Sequence, residues 1–392
     1  MSKAHLMFLG VLGAGCLAVV NPTEMQCVAE EPAKVDVFVG GEGYNIFRIP
    51  SLICTPKGTL LAFCEARQGN DQSPTDMVLK RSLDGGETWQ PMQVLVKAVP
   101  EAAMDPTAVV ERTTGKIILI YDRWPEMPEG KKLGEFKRAP GLGRDSITTW
   151  ITTSEDDGLT WSEPRDITAT TKKPEWTEAC HGPGVGIQMR SGRIVIPCFE
   201  NRSEEPGWGT CWNYALYSDD RGETWHISDN ESGPGVNETQ VVELTDGTLL
   251  LNMRSDDPKK GCRMGATSTD GGKTWSRPFE IPELPDPCCQ ASMLRYSWPD
   301  ETGEKSRILY CGPGTTDGRH TGTVRLSYDE SKTWPVARVI CRDYFGYCCL
   351  TVLRDGTIGC LFEAEGCSKI VFTRFSLQWL TGEFSTPSST AR

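Results

Sequence analysis

One eight-residue phrase occurs five times in this chain, and it constrains the fold more than any other feature. The pattern is S-x-D-x-G-x-T-W, and a repeat of this length indicates a repeated structural unit. Four copies keep every position, and the fifth has Ser331 where the others have Gly. The copies are SLDGGETW from Ser82, SEDDGLTW from Ser154, SDDRGETW from Ser218, STDGGKTW from Ser268 and SYDESKTW from Ser327.

Each fixed position of the phrase suits a tight turn. The Asp carboxylate can accept hydrogen bonds from turn amides, and the Gly supplies a positive φ. The Trp ring is large enough to fix a hairpin on its neighbours by burial. Strand-like stretches such as WNYALYS precede most copies, and alternating stretches such as GTLLLNMR follow polar turns. We therefore expect the phrases to close hairpins and to be structural.

The spacing of the phrases predicts the architecture. Successive copies start 72, 64, 50 and 59 residues apart, which suits one small antiparallel sheet per repeat. Such sheets arranged radially form a β-propeller. With about 50–60 residues per blade, residues 36–385 are long enough for six blades. We therefore predict an all-β fold, a six-bladed β-propeller of four-stranded antiparallel blades. No long segment has a 3.6-residue period, so we expect few helices.

Charge and cysteine content narrow the possible functions. The 41 basic and 53 acidic residues give a net charge of −12, which argues against a nucleic-acid partner. Any site for an anion must therefore be local. The chain has sixteen Cys but only four His, and its two CC pairs lack metal-binding spacing, so we expect no zinc site. Disulfide pairing stays open, because the alternative is buried free thiols at positions such as Cys54, Cys64, Cys198 and Cys360.

The first thirty residues have the pattern of an export leader. Lys3 precedes the mostly apolar run LMFLGVLGAGCLAVV, and polar residues follow. This is typical of a signal peptide, and no second apolar run is long enough to span a membrane. We expect residues 1–30 to be a signal peptide and leader, and the protein to be secreted or periplasmic. Attachment of a lipid at Cys16 is the alternative, with no stable membrane span in either case.

The stretch YNIFRIPSLICT, residues 44–55, places a charge inside an apolar strand. Tyr44, Phe47 and Ile49 are expected to pack the first blade, and Pro50 limits strand pairing. Arg48 lies among them, and a guanidinium is costly to bury without an anion. The pattern indicates that Arg48 binds an anion.

FRIP followed by S-x-D-x-G-x-T-W phrases resembles the sialidase (exo-α-neuraminidase) superfamily, over nearly the whole chain after the leader. The resemblance implies an exo-sialidase that needs no cofactor or metal, acts on sialylated glycans or gangliosides, and is a monomer. The family binds the sialic acid carboxylate with three arginines, which suits the planar, always charged guanidinium. The matching positions are Arg48 in FRIP, Arg254 in GTLLLNMRS and Arg319 in DGRHTGTVRLSYD.

The resemblance also implies a tyrosine nucleophile. A carboxylate would be repelled by the carboxylate on the anomeric carbon, and sialidases use Tyr instead. The position falls on Tyr347 in DYFGYCCLTVL, with Tyr344 as the competing residue. The partner base matches Glu238 in VNETQVVE, and its alternative role is a solvated loop carboxylate.

The remaining matches lie near the two ends of the propeller sequence. In CEARQGNDQSPTD the general acid matches Asp71, whereas Asp76 is expected to be structural. Arg67 resembles a residue that contacts the sugar near O4. Glu363 in CLFEAEG matches a carboxylate that holds the first arginine, with an exposed edge-strand Glu as the alternative.

Two regions depart from the family pattern. Asp105 in MDPTAVVE stands where many members have Asn, and IPCFENR has Phe199 and Asn201 where some have tyrosines. Both regions tend to face the N-acyl or glycerol arms of the sugar, so the preferred sialic acid stays open. A trans-sialidase, a sialidase for deaminated sialic acid, and a catalytically inactive sialic-acid-binding propeller are the alternative functions.

Overall fold

The computed structural model describes residues 30–71, 73–126, 139–203, 210–299 and 303–382. From Pro32 onward the described residues form one compact unit. The predicted leader and Cys16 lie outside the described residues. None of the described helices is long and apolar enough to cross a membrane.

Nearly all regular structure in the described chain is β. Residues 30–126 contain β1 Lys34–Val39, β2 Ile46–Cys54, β3 Leu60–Arg67, β4 Thr75–Ser82, β5 Gln93–Val96, β6 Ala102–Val110 and β7 Ile117–Trp124. Residues 139–299 contain β8 Thr148–Ser154, β9 Arg165–Asp166, β10 Glu178–His181, β11 Gly184–Val185, β12 Ile187–Gln188, β13 Ile194–Asn201, β14 Cys211–Ser218, β15 His226–Ile227, β16 Val236–Glu243, β17 Leu249–Ser255, β18 Cys262–Ser268, β19 Phe279–Pro285 and β20 Ser292–Ser297. Residues 303–382 contain β21 Arg307–Pro313, β22 His320–Ser327, β23 Val336–Tyr344, β24 Cys348–Val352, β25 Ile358–Ala364 and β26 Lys369–Phe375.

The helices are short. They are α1 Thr168–Thr171, α2 Leu377–Thr381 and a 3₁₀ turn at Glu365–Cys367. Ser376 caps the start of α2 by accepting a hydrogen bond from the Trp379 amide, and Gly382 ends it in the left-handed region. The prediction of few helices is confirmed.

Antiparallel meanders of four strands follow one another along the chain. They are β2–β5, β6–β9, β10 with β13–β15, β16–β19, β20–β23, and β24–β26 completed by β1. The pairing of β1 with β26 joins the start of the described fold to its end. The all-β, propeller-like arrangement is confirmed.

The number of separate sheets differs from the predicted six. The described residues form three four-stranded sheets, one five-stranded sheet in which β12 pairs beside the four-strand path, and one nine-stranded sheet. The nine-stranded sheet arises because Thr75 of β4 pairs with Ala102 of β6, which joins two consecutive meanders.

Apolar clusters fill the space between neighbouring meanders. Leu61 and Phe63 of the first meander pack with Leu119 and Tyr121 of the second. Phe372 of the last meander packs with Phe47 of the first, so the ring of contacts is closed. Thiols such as those of Cys54, Cys64, Cys198 and Cys360 are free, and most of the fourteen cysteines among the described residues are buried. They pack as small hydrophobes, as Cys360 does beside Phe362.

The repeated phrase forms the same hydrogen-bonded turn five times. In the third copy the Ser218 hydroxyl donates to Asp220, whose carboxylate accepts from the amide and hydroxyl of Thr224. The Gly222 amide donates to the Ser218 hydroxyl, and Trp225 is buried. The corresponding contacts recur in the other four copies. The predicted role of the phrase is confirmed.

The glycine of the phrase marks where each hairpin meets the preceding meander. A Cβ on Gly86 would lie 2.0 Å from Phe372, and one on Gly222 would lie 2.5 Å from Ile118. Both glycines also have a positive φ. The repeat therefore fixes contacts between meanders as well as the turn itself.

Candidate active site

The predicted site residues come from many strands but lie at one end of the meanders. Arg48 and Glu238 are near the start of a first strand, whereas Arg67, Arg254 and Glu363 are near the end of a second strand. The repeated phrases connect third to fourth strands, so they lie at the opposite end. This topology separates the hairpin turns from the candidate site.

Arg48 lies on a bulge of β2. The register of β2 against β3 shifts between Arg48 and Ser51, and Ile49 has φ of 59°. A positive φ is strained for a β-branched residue and persists only where surrounding contacts hold it. The Ile49 amide donates to Glu363 Oε1 at 3.0 Å, which supplies one such contact. The bulge thus directs both the Arg48 side chain and the following amide to one carboxylate.

Glu363 is the buried partner of Arg48. Its Oε1 accepts from Arg48 Nε at 2.5 Å, and its Oε2 accepts from the Tyr347 amide at 3.1 Å. Burial alone raises the pKa of Glu363, but the Arg48 charge and the Ile49 and Tyr347 amides outweigh it and hold the pKa below its ordinary value. The alternative of an exposed edge-strand carboxylate is excluded, since Glu363 is fully buried.

Tyr347 and Glu238 are in direct contact. The Tyr347 hydroxyl donates to Glu238 Oε1, and Arg254 Nη1 donates to both the tyrosine oxygen, at 2.9 Å, and Glu238 Oε2, at 2.7 Å. Burial first, and then the Glu238 charge, raises the pKa of Tyr347 well above its ordinary value. The hydroxyl is therefore neutral at rest and has a base beside it that can take its proton.

Tyr344, the competing tyrosine, points to a different group. Its hydroxyl contacts the Cys367 thiol at 3.0 Å. Tyr347 instead rests on a small apolar cluster with Ile49 and Cys289. The prediction that Ile49 packs the first blade beside Phe47 is wrong, because the bulge turns this side chain toward Tyr347.

Two arginines flank the ring of Tyr347. The guanidinium carbons of Arg48 and Arg319 lie 5.3 Å and 5.2 Å from the ring centroid. Arg319 Nη2 also donates to the Cys288 carbonyl at 3.2 Å, which fixes its position. With Arg254 on the tyrosine hydroxyl, the three predicted clamp arginines surround one side chain, and they can bind a carboxylate above it.

Asp71 lies at the edge of this group, beside two arginines. Its carboxylate contacts Arg67 Nη1 and lies 3.3 Å from Arg48 Nη1, and its side chain is 50% exposed. Burial raises its pKa, but Arg67 and Arg48 outweigh this and lower the pKa below its ordinary value. Asp76 instead accepts hydrogen bonds from Tyr44 and from the Ala98 amide, which is a structural role.

Sequence reasoning missed Glu65. Glu65 is fully buried, and its Oε2 accepts from Arg67 Nε at 2.6 Å. Burial raises its pKa despite the Arg67 charge. A signal was present in the sequence, because Glu65 and Arg67 lie two apart on a strand and so share one face.

Asp105, whose amide donates to Glu65, belongs to a group whose other members sequence reasoning missed. Asp105 adjoins Asp122, whose carboxylate contacts Nδ1 of His181, and Asp122 and His181 are fully buried. Asp105, Asp122 and Cys180 are the one group of described residues with three metal-binding atoms within 4.8 Å of one another. His181 already occupies an oxygen of Asp122, so we assign the group to hydrogen bonding.

Phe199 and Asn201 do not join the arginine cluster. Phe199 packs with Ile147, Cys180 and Cys211. Asn201 is buried on β13, and its carbonyl accepts from the Thr177 amide at 2.8 Å.

The chain is similar to known proteins over most of its length. Residues 58–360 match the model of the BNR repeat-like domain. The chain is 34% identical to a sialidase of Micromonospora viridifaciens over 95% of this chain and 59% of that protein. It is 32% identical to a sialidase of Bacteroides fragilis over 83% of this chain and 61% of that protein. The chain thus spans about three fifths of the length of these relatives.

Solved structures show the same fold. The Hadza microbial sialidase Hz136 is 31% identical, with a TM-score of 0.77 over 86% of this chain and 67% of that chain. An intramolecular trans-sialidase from Ruminococcus gnavus is 21% identical, with a TM-score of 0.72 over 88% of this chain and 98% of that chain, and this likeness shows the fold alone. On the domain match and the first relative together, the chain belongs to the sialidase family.

Proposed function

We propose that this protein is a retaining exo-sialidase that hydrolyses terminal α-linked sialic acids from glycoconjugates. The observation that carries the proposal is the contact of the Tyr347 hydroxyl with Glu238 and Arg254, inside a group of three arginines. A tyrosine paired with a neighbouring base, beside a site for a carboxylate, fits a substrate that bears a carboxylate on the reacting carbon.

Three arginines bind the carboxylate of the substrate. Arg48, Arg254 and Arg319 each keep a partner at rest, namely Glu363, Glu238 and the Cys288 carbonyl. These partners hold the guanidinium groups in position, so that little rotamer entropy is lost on binding.

The first chemical step forms a bond between the Tyr347 oxygen and the anomeric carbon. Glu238 accepts the hydroxyl proton as this bond forms, and the glycosidic carbon–oxygen bond breaks through an oxocarbenium-like transition state. Asp71 donates a proton to the leaving oxygen. Tyr347 is neutral before attack, so it avoids the repulsion that a carboxylate nucleophile would meet.

The second step reverses these roles. Asp71, now ionised, takes a proton from water while the water oxygen attacks the anomeric carbon. The bond to the Tyr347 oxygen breaks, and Glu238 returns the proton to it. The products are free sialic acid with retained configuration and the original enzyme.

Asp71 must carry a proton for the first step, although two arginines favour its ionised form in the free protein. Binding of substrate supplies a reason for this change. The substrate carboxylate neutralises part of the Arg48 charge, so the pKa of Asp71 rises in the complex. The exposed position of Asp71 allows its loop to follow the leaving group.

Substitution of the two tyrosines tests the proposal. Tyr347→Phe is expected to lower kcat/KM on a fluorogenic aryl α-sialoside by about 10³-fold, because both the nucleophile and its proton are lost. Tyr344→Phe is the matched control and is expected to stay within about threefold of wild type, the effect of one hydrogen bond. If folded Tyr347→Phe kept full activity, the assignment would be wrong. Product analysis with lactose present separates hydrolysis from transfer.

We propose that the propeller has six blades when each four-strand meander that packs on its neighbours is counted as one blade. The meanders β2–β5 and β6–β9 share a sheet through the single pair Thr75 and Ala102. Their facing sides bury their own apolar cluster, as the faces of the other neighbouring meanders do. We therefore count the nine-stranded sheet as two blades.

A further inference from the structure

Arg263 and Asp286 form an ion pair in the interior that the proposed chemistry does not use. Arg263 Nη1 lies 3.3 Å from Asp286 Oδ2, and neither side chain is more than 1% exposed. Arg263 is on β18, and Asp286 directly follows β19. Because burying two charges is costly, a buried ion pair is weak evidence for stability by itself. The remaining contacts of the two side chains therefore indicate their role.

The Asp286 carboxylate joins two parts of the candidate site. Its Oδ2 accepts from the Ser255 amide at 2.9 Å, and Ser255 directly follows the clamp residue Arg254. Its Oδ1 accepts from the Cys289 amide at 2.9 Å. The Cys289 side chain belongs to the apolar cluster on which Tyr347 rests. One carboxylate thus ties the strand of Arg254 to the residue that supports Tyr347.

The Arg263 guanidinium contacts the same two parts of the site. Its Nη1 also donates to the Cys289 carbonyl at 2.7 Å, so the ion pair holds both the amide and the carbonyl of Cys289. Its Nε donates to Asn252 Oδ1 at 2.8 Å, and Asn252 lies on β17, the strand of the clamp residue Arg254. The two charges therefore join β17 and the segment around Cys289 at several points.

The neighbours of this cysteine in sequence extend the contacts to the rest of the site. The Cys288 carbonyl accepts from Arg319 Nη2 at 3.2 Å. The Gln290 side chain donates to the Cys348 carbonyl at 3.0 Å and accepts from the Cys348 amide at 2.9 Å. Cys348 directly follows Tyr347. The segment that the ion pair holds thus fixes a second clamp arginine and the backbone next to the proposed nucleophile.

We propose that Arg263 and Asp286 are positioning residues that fix the distance between Arg254 and Tyr347. Arg254 Nη1 donates to the Tyr347 oxygen at 2.9 Å, and both side chains must keep this spacing while one binds the carboxylate and the other attacks the anomeric carbon. An ion pair suits this task, because its hydrogen bonds are strong and the planar guanidinium fixes their directions. The effect on catalysis rests on the proposed function, whereas the spacing itself does not.

Asp286→Asn tests the positioning role in folded protein. The Asn side chain has a single acceptor oxygen, so one of the two backbone amides loses its partner. We expect kcat/KM on the fluorogenic aryl α-sialoside to fall by about 10²-fold, the effect of a displacement of about 1 Å, with a raised KM and a lowered kcat. Glu330→Gln is the matched control, because Glu330 pairs with the buried Arg295 but lies in a repeated phrase. Its kcat/KM is expected to stay near that of wild type.

A second variant separates positioning from stability. Asp286→Asn leaves Arg263 buried without an opposite charge, which lowers the free energy of unfolding. The double variant Arg263→Gln with Asp286→Asn removes both charges, so it is expected to be more stable in urea than the single variant, and it carries the test if the single variant does not fold. Its kcat/KM is expected to stay about 10²-fold below wild type, because Gln has fewer donors than Arg and cannot restore the contacts. Recovery of activity together with stability would overturn the positioning role.

The spacing can be measured without turnover. In crystals of either Asp286 variant, the distance from Arg254 Nη1 to the Tyr347 oxygen is expected to exceed that in wild-type crystals by at least about 0.5 Å, and in Glu330→Gln to be unchanged. An unchanged distance in the Asp286 variants, or an equal loss of kcat/KM in folded Glu330→Gln, would overturn the positioning role. A lengthened distance, in a protein whose wild type has no sialidase activity, would overturn the proposed function alone.

Discussion

The repeated turns and the candidate site use the same side chains in opposite ways. In the turns, each Asp binds groups two to four residues away, as Asp220 binds Ser218 and Thr224. In the site, partners come from distant strands, as Arg48 and Glu363 are 315 residues apart in sequence. Local sequence therefore determines a turn completely, whereas the site exists only when the ring of meanders is closed.

The two regions also treat charge differently. The exposed Asp84 has a pKa lowered to about 2, chiefly by the hydroxyl and amide of Thr88. The buried Asp105 has its pKa raised well above the ordinary value by burial and by neighbouring acids. In solvent, hydrogen bonds from neutral donors are enough to stabilise an ionised carboxylate. In the interior, a carboxylate needs a nearby cation or must carry a proton. We expect substitutions in the turns to change stability, and substitutions in the site to change activity first.

Asp71→Asn should give the largest effect. Asn cannot donate a proton, so kcat/KM should fall by about 10³-fold on a sialoside with a poor leaving group. On an aryl sialoside with a good leaving group the loss should be much smaller, since the leaving oxygen needs little protonation. Equal losses on both substrates would show that Asp71 is not the acid. The free energy of unfolding, measured by urea denaturation, should change little because Asp71 is half exposed.

Trp225→Ala should lower stability and leave activity nearly unchanged. Trp225 is 2% exposed and packs between the second and third meanders, so its loss should lower the free energy of unfolding by about 4 kcal/mol. At a temperature where the variant is folded, kcat/KM should stay near that of wild type. A specific loss of kcat in fully folded protein would contradict the separation of turns from site.

Glu363→Gln should change both the free energy of unfolding and the activity, because Glu363 is both buried and part of the site. Removing its charge leaves Arg48 without its buried partner and should lower the free energy of unfolding by about 3 kcal/mol, with a raised KM. The folded pKa of Glu363 is lowered, so its contribution is complete above the unfolded pKa of about 4.3 and is lost as pH falls through the folded pKa. The wild-type advantage over Glu363→Gln in urea denaturation should therefore be constant near neutral pH and shrink in acid. An advantage that grew in acid would contradict this pairing.

Ser331→Gly should give the smallest effect, with the opposite sign. Ser331 has φ of 68°, and its buried hydroxyl has no hydrogen-bond partner among the described residues. Glycine restores the repeat pattern and should raise the free energy of unfolding by about 0.5–1 kcal/mol, although the unfolded chain also gains freedom. Thermal unfolding checks this, with Gly222→Ala as a destabilised counterpart because its Cβ would meet Ile118.

Sequence predicted the turns well because their contacts are local. The S-x-D-x-G-x-T-W spacing determines which hydroxyl, carboxylate and amide meet, and the structure contains those contacts. The position of Ile49 was predicted wrongly, since an alternating strand pattern does not reveal a bulge. The pairing of Thr75 with Ala102, which joins two meanders, likewise depends on tertiary contact and has no sequence signal.

The candidate site could be predicted only through family resemblance. No local rule joins Arg48 to Glu363 or Tyr347 to Glu238, because those contacts depend on closure of the ring. The buried group of Glu65, Asp122 and His181 was missed for the same reason. Each is an ordinary polar residue in its own strand, and only their shared burial makes them unusual.

Trapping of the covalent intermediate tests directly whether Tyr347 is the nucleophile. A fluorinated sialosyl fluoride slows the second step, so that the sugar stays attached to the nucleophile. We expect one adduct per chain by intact mass, located by peptide mapping on Tyr347 and absent from Tyr347→Phe. An adduct on Glu238 or Asp71 would contradict this assignment.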